Sequence, residues 1–153
     1  MKTKYLIEIS GILALIAIVV LGYHYAPAWL TKSDVTLPLS SCDPGESLCK
    51  VDLPGGGQVE LRLSPQPVPL VKPFQIEVRL QGLHARQIDV DFSAIGMDMG
   101  YNRPRLQAAE AGRFVATTSL PVCITGPMEW QATLMIETLS ARTAIPFRFS
   151  TRS

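Results

Sequence analysis

The chain has 153 residues and a formal net charge of +1, room for one modest domain and an appendage. From Asp34 onward it carries 12 acidic and 11 basic side chains, a net charge of −1. That balance excludes the basic footprint a nucleic-acid binder needs.

Lys2 and Lys4 precede a long apolar stretch. Residues 9–30 contain no Asp, Glu, Lys or Arg, and His24 is their one histidine. As a helix these 22 residues would rise about 33 Å, enough to cross a hydrocarbon core of about 30 Å. The lysines set the N-terminus in the cytoplasm, and Tyr23, Tyr25 and Trp29 fall where an interfacial aromatic belt is expected. Glu8 can snorkel to the interface. The alternative is a cleaved signal peptide, with residues 9–21 as its apolar region and Ala26-Pro27-Ala28 as a poorly fitting cleavage site. A buried core helix is disfavoured because the segment has no polar face. Residues 1–31 therefore read as a single-pass anchor in a bacterial inner membrane, 32–41 as a linker and 42–153 as a periplasmic domain.

Next comes a series of runs in which apolar and polar residues alternate. Residues 58–64 put Val59, Leu61 and Leu63 on one face. The same period recurs at 73–81 (Phe74, Ile76, Val78, Leu80), at 86–95 (Ile88, Val90, Phe92) and at 112–120 (Phe114, Ala116, Thr118, Leu120). It continues at 129–138 (Trp130, Ala132, Leu134, Ile136) and 143–150 (Ile145, Phe147, Phe149). A period of two marks half-buried strands. A short strand is expected at 48–53 and a partner run at 101–106. Turns fall at Pro54-Gly55-Gly56-Gly57, around Pro65, Pro67 and Pro69, at Gly82, Gly100 and Gly112, and at Gly126-Pro127. These features predict an antiparallel Ig-like or cupredoxin-like β-sandwich of about seven strands behind one transmembrane helix.

An extracytoplasmic domain permits disulfides. Cys42 and Cys49 enclose the turn-forming stretch DPGESL and are the natural pair, with thiolate ligation as the alternative. Cys123 is left over. Met97 and Met99 are two residues apart, so on an extended chain they share a face, and Gly96 and Gly100 bracket them. Cys123 and Met128 flank a second turn. If both turns lie at one end of the sandwich, four sulfurs converge. Thioether and thiolate ligands select Cu(I), whereas zinc prefers His, Cys and carboxylates. The bland reading makes these methionines gap-filling hydrophobes.

His84 is the one histidine of the domain and reads as a solvated loop residue. One histidine is too few for a blue-copper site. No nucleophile elbow accompanies it, Asp89 and Asp91 read as the solvent side of a strand, and Gly55–Gly57 is a hairpin turn. Arg103, Arg105 and Arg113 read as a solvated basic edge. No catalytic residue is expected.

Residues 92–149 contain GMDMG (96–100), GRFVA (112–116), Leu120-Pro121, and Gly126-x-Met128-x-Trp130 opening a strand. In these elements the chain resembles the FixH/YtkA-like group of small extracytoplasmic β-sandwiches. The resemblance implies a single N-terminal anchor and copper delivery during haem-copper oxidase assembly, with a respiratory oxidase subunit or another envelope protein as partner. It also implies Met97, Met99 and Met128 as copper ligands. The leading expectation is a non-enzymatic Cu(I) metallochaperone whose ligands are Met97, Met99, Cys123 and Met128. The rival is a metal-free interaction module that uses residues 101–105 as its contact. Thiol redox chemistry is weaker, since Cys42 and Cys49 lack CxxC spacing.

Overall fold

The computed structural model describes residues 8, 11–21, 33–98, 100–121 and 128–151. It divides into two compact units, Met1–Lys32 and Ser33–Ser153. In the first unit, residues 11–21 are helical with exposed side chains. Among the described residues no helix is long and apolar enough to cross a membrane. The remainder of the apolar segment expected as the anchor lies outside the described residues.

The second unit is two β-sheets packed face to face. The strands are β1 (Ser33–Thr36), β2 (Cys49–Asp52), β3 (Gln58–Ser64), β4 (Phe74–Gln81), β5 (Gln87–Ala94), β6 (Gln107–Glu110), β7 (Arg113–Thr118), β8 (Glu129–Glu137) and β9 (Ala141–Ser150). One sheet has the order β1-β9-β8-β5 and the other β2-β3-β4-β7-β6. Every pairing is antiparallel except β1 with β9. The expected β-sandwich is present.

The described strands number nine, not seven. The additions, β1 and β6, have four residues each. That is too short for a period of two to stand out, and all four residues of β6 are exposed. The stretch 32–41, expected as a linker, contributes backbone pairing to β9. Its residues 33–36 pair with 141–144 of β9, and Ser40 bridges to Phe147.

Alternation explains the core. Phe74, Ile76 and Val78 of β4, Ile88, Val90 and Phe92 of β5, Trp130, Ala132, Leu134 and Ile136 of β8, and Ile145, Phe147 and Phe149 of β9 are all buried. Each large side chain contributes about 1.5–3 kcal/mol through removal from water. Phe92 lies edge-on to both Phe74 and Phe149, at 5.7 and 6.1 Å between ring centres, a favoured aromatic geometry. β7 is the exception, since its Phe114 and Ala116 are only half-buried.

Cys42 and Cys49 form a disulfide, Cα to Cα 5.7 Å. It ties the entry segment to β2, and its loop is short, so on chain-entropy grounds it adds about 2 kcal/mol.

The turn into β7 depends on Gly112. Its φ is +74°, and a Cβ there would lie 2.8 Å from the Leu80 carbonyl oxygen. The Leu80 N–H in turn donates to the Gly112 carbonyl at 2.7 Å. Gly112→Ala is therefore expected to lower stability by about 1–3 kcal/mol, read as a lower urea midpoint. An unchanged midpoint would contradict the close approach.

The outer face of the β2-β3-β4-β7-β6 sheet carries a cross-strand charge network. Glu77 accepts from Arg79 at 2.8 Å and from Arg113 at 3.1 Å, and Lys50 pairs with the buried Glu60 at 2.7 Å. The Arg113 hydrogen bond, aided by Arg79, holds the Glu77 carboxyl below the ordinary glutamate range against a smaller opposing effect of burial. A lowered folded-state pKa gives stability that is present above the ordinary value and lost as pH falls through the folded value. Glu77→Gln should therefore lower the urea midpoint at neutral pH, and the gap to wild type should close below about pH 4. A gap that does not change with pH would contradict this role.

Candidate metal-binding rim

β5 and β8 are neighbours in full register, from Gln87 opposite Glu137 to Ala94 opposite Trp130. Pairing continues one step past β5, where the Ile95 N–H donates to the Glu129 carbonyl at 2.9 Å. The loop leaving β5 and the residue entering β8 therefore lie at the same end of one sheet. β7 finishes at that end too. Its Thr118 pairs with Phe74, whose ring touches Phe92 near the end of β5. Both flanks of the Cys123 segment, Leu120 and Met128, belong to this end.

Beyond Ile95 the chain turns at Gly96, φ +84°, and again at Gly100, φ +78°. Only glycine adopts that region without strain. Asp98 Oδ1 accepts the Gly100 N–H at 2.9 Å and closes the turn. Met97 lies between these hinges and is 43% exposed. Met128 is half-buried against the core, and its carbonyl accepts the N–H of the buried Thr151 at 3.2 Å. Two residues on, Trp130 is fully buried, and its Nε1 has no hydrogen-bond partner among the described residues. The other two expected ligands, Met99 and Cys123, lie outside the described residues. The structure thus brings the Met97 and Met128 stretches to one rim, the first exposed and the second half-buried against the core.

Among the described residues no three His, Cys, Asp or Glu side chains cluster so as to hold a metal. Methionine sulfurs are a different donor class, suited to a soft monovalent ion. His84 stands at the opposite end of the sandwich. There it lines an apolar groove of about 370 Å³ with Leu53, Pro54, Leu83 and Leu139. It is remote from the rim.

A further feature was not read as a unit in the sequence. Residues 101–106 run antiparallel beside β5. The Phe92 N–H donates to the Asn102 carbonyl at 2.9 Å, Val90 N–H to the Pro104 carbonyl at 3.1 Å, and Leu106 N–H to the Ile88 carbonyl at 2.9 Å. The expected partner run is thus present as an irregular strand, interrupted by Pro104. It brings Arg103 Nε to 3.2 Å from Asp91 and Arg105 Nε to 3.2 Å from Asp89. The two exposed arginines and the two aspartates on the solvent side of β5 are thus ion-paired across a strand boundary. Asp91 and its hydrogen bond push the Arg103 guanidinium further toward the charged form. The matched spacing of D-x-D and R-x-R, both period two, was the available signal. Asp89, Arg103 and Arg105, together with Gln87, Tyr101, Met135, Glu137 and Arg142, line an open groove of about 570 Å³.

No protein-family profile and no curated protein matches the chain. Among solved structures it is similar to the crystal structure of an engineered protein, at 17% identity and a TM-score of 0.49 over 66% of this chain. The similarity takes in 21% of that engineered chain, so this protein spans only a minor part of its length.

Proposed function

We propose that the protein is a membrane-anchored periplasmic Cu(I)-binding protein acting in copper delivery or haem-copper oxidase assembly, on an Ig-like or cupredoxin-like sandwich. Met97, Met99, Cys123 and Met128 would hold the ion, and the protein would not be an enzyme. The observation that carries this reading is the register of β5 with β8, with Met97 and Met128 at adjoining strand ends. The donor set fits the cargo, because thioethers and a thiolate favour Cu(I) over harder ions. Exposure suits delivery. Met97 is 43% exposed, while Met128 is half-buried against the core.

The full chain in detergent, reduced and anaerobic, is titrated with Cu(I) against a competing chelator. One tight equivalent supports the reading. Binding too weak to compete with the chelator would sink it, and the sulfurs would then be packing.

A further inference from the structure

The segment 101–106 has a second side. In an antiparallel pair, residues alternate between those bonded to the neighbour and those whose N–H and C=O point away. Asn102, Pro104 and Leu106 are the residues bonded to β5. Arg103 and Arg105 therefore direct their backbone N–H and C=O off the sheet, and no described strand lies beyond them. Pro104 does not blunt this edge. Its missing N–H belongs to the β5 side, so the outward row of donors and acceptors at 103 and 105 is intact. The edge is also held in place. Asn102 donates to the Ser119 carbonyl at 3.1 Å and accepts from the Thr118 hydroxyl at 3.2 Å, which pins the segment to the other sheet.

The side chains at this edge select a partner. Among the described residues, the hydrogen bonds of Arg103 and Arg105 to Asp91 and Asp89 are made through Nε. A guanidinium has five N–H donors, so among the described residues the terminal amino groups of both are left for further acceptors. Arg103 also lies over the ring of the exposed Tyr101, 5.2 Å from its centre, a cation–π contact that steadies its orientation. Arginine and tyrosine are the residue types that dominate protein contacts.

We infer that the backbone edge at Arg103 and Arg105 accepts an added β-strand from an extended acidic segment of a partner protein, whose alternate carboxylates meet the two guanidiniums. Main-chain bonds supply the affinity and the alternate side chains the selectivity, as in other cases of strand addition. Charge complementarity favours this occupant. A lysine-bearing strand would have to displace Arg103 and Arg105 from Asp91 and Asp89. A second copy of this chain fits poorly, because a two-fold pairing centred on this stretch bonds odd-numbered residues to odd-numbered residues and sets arginine against arginine, which is destabilising across a strand pair. The exposed edge at β6 is a weaker candidate, being four residues long and broken by a register shift. This inference stands apart from the copper reading, since neither arginine is a metal ligand.

The test uses the full chain in detergent and a short fluorescent peptide alternating threonine and glutamate, followed by anisotropy. A lysine-for-glutamate peptide is the charge control. Two further acidic peptides are N-methylated at every second backbone nitrogen, in opposite phases. The acidic peptide is expected to bind and the lysine peptide not. One methylation phase is expected to abolish binding and the other to preserve it. Arg103→Gln with Arg105→Gln is expected to weaken binding about tenfold, with an unchanged circular-dichroism spectrum. Equal binding of acidic and lysine peptides would overturn the inference. So would equal effects of the two methylation phases, which would reveal charge attraction without strand addition, or no binding by any peptide.

Discussion

Trp130→Ala is expected to lower the unfolding free energy by about 3–5 kcal/mol, the range for removing a large aromatic from a packed core. Trp130 heads the set of largest fully buried side chains, at 0% exposure. It pairs with Ala94 on one side and Phe149 on the other, so small and large residues interdigitate there and collapse around an alanine would be incomplete. Its indole N–H complicates the effect in a testable way. The Nε1 is buried without a hydrogen bond among the described residues, and such a group costs about 1–3 kcal/mol in lost hydration. Trp130→Phe removes that cost together with part of the ring, so it should be much milder than Trp130→Ala. Urea unfolding of the three proteins checks both steps. Equal losses in the two variants would mean that the indole N–H is satisfied in solution.

The second large effect concerns the rim. Met97→Leu combined with Met128→Leu should reduce Cu(I) affinity by at least about a hundredfold, the upper range for disturbing even the supporting groups of a metal site. Leucine nearly conserves volume, so the fold should tolerate both changes at less than about 1.5 kcal/mol each. His84→Gln, at the opposite end of the sandwich, should leave Cu(I) affinity unchanged. Competition titrations with the same chelator give all three values. An affinity insensitive to the methionine pair would remove the rim from consideration, and sensitivity at His84 would move the search to the other groove.

The architecture was legible wherever a strand is long and buried on one face. β3, β4, β5, β8 and β9 each alternate over seven residues or more, and every large apolar residue assigned to their inner faces is buried. Legibility failed where pairing relies on backbone bonds without a buried face. β1 joins β9 through residues 33–36, and β6 presents four exposed residues. Neither can be distinguished from a polar loop by hydropathy. The disulfide could be read from a short, turn-rich loop in a domain expected outside the cytoplasm, and Cys42 and Cys49 are indeed bonded.

Sites were harder to read, because they depend on which strand ends meet. That Met97 and Met128 belong to one rim follows from Ala94 opposite Trp130, a long-range pairing that no local pattern encodes. The pairing of the exposed Arg103 and Arg105 with Asp91 and Asp89 is hidden in the sequence because each partner aspartate is more than ten residues away along the chain. Their equal spacing to Asp89 and Asp91 was the one local trace of the pairing.

The most direct test of a sulfur-held copper rim is X-ray absorption at the copper edge on the full chain loaded with Cu(I), together with its Cys123→Ser and Met97→Leu variants. The account predicts a first shell of sulfur alone in the wild type, thinned by each substitution. A shell built from nitrogen or oxygen, unchanged by either substitution, would contradict it.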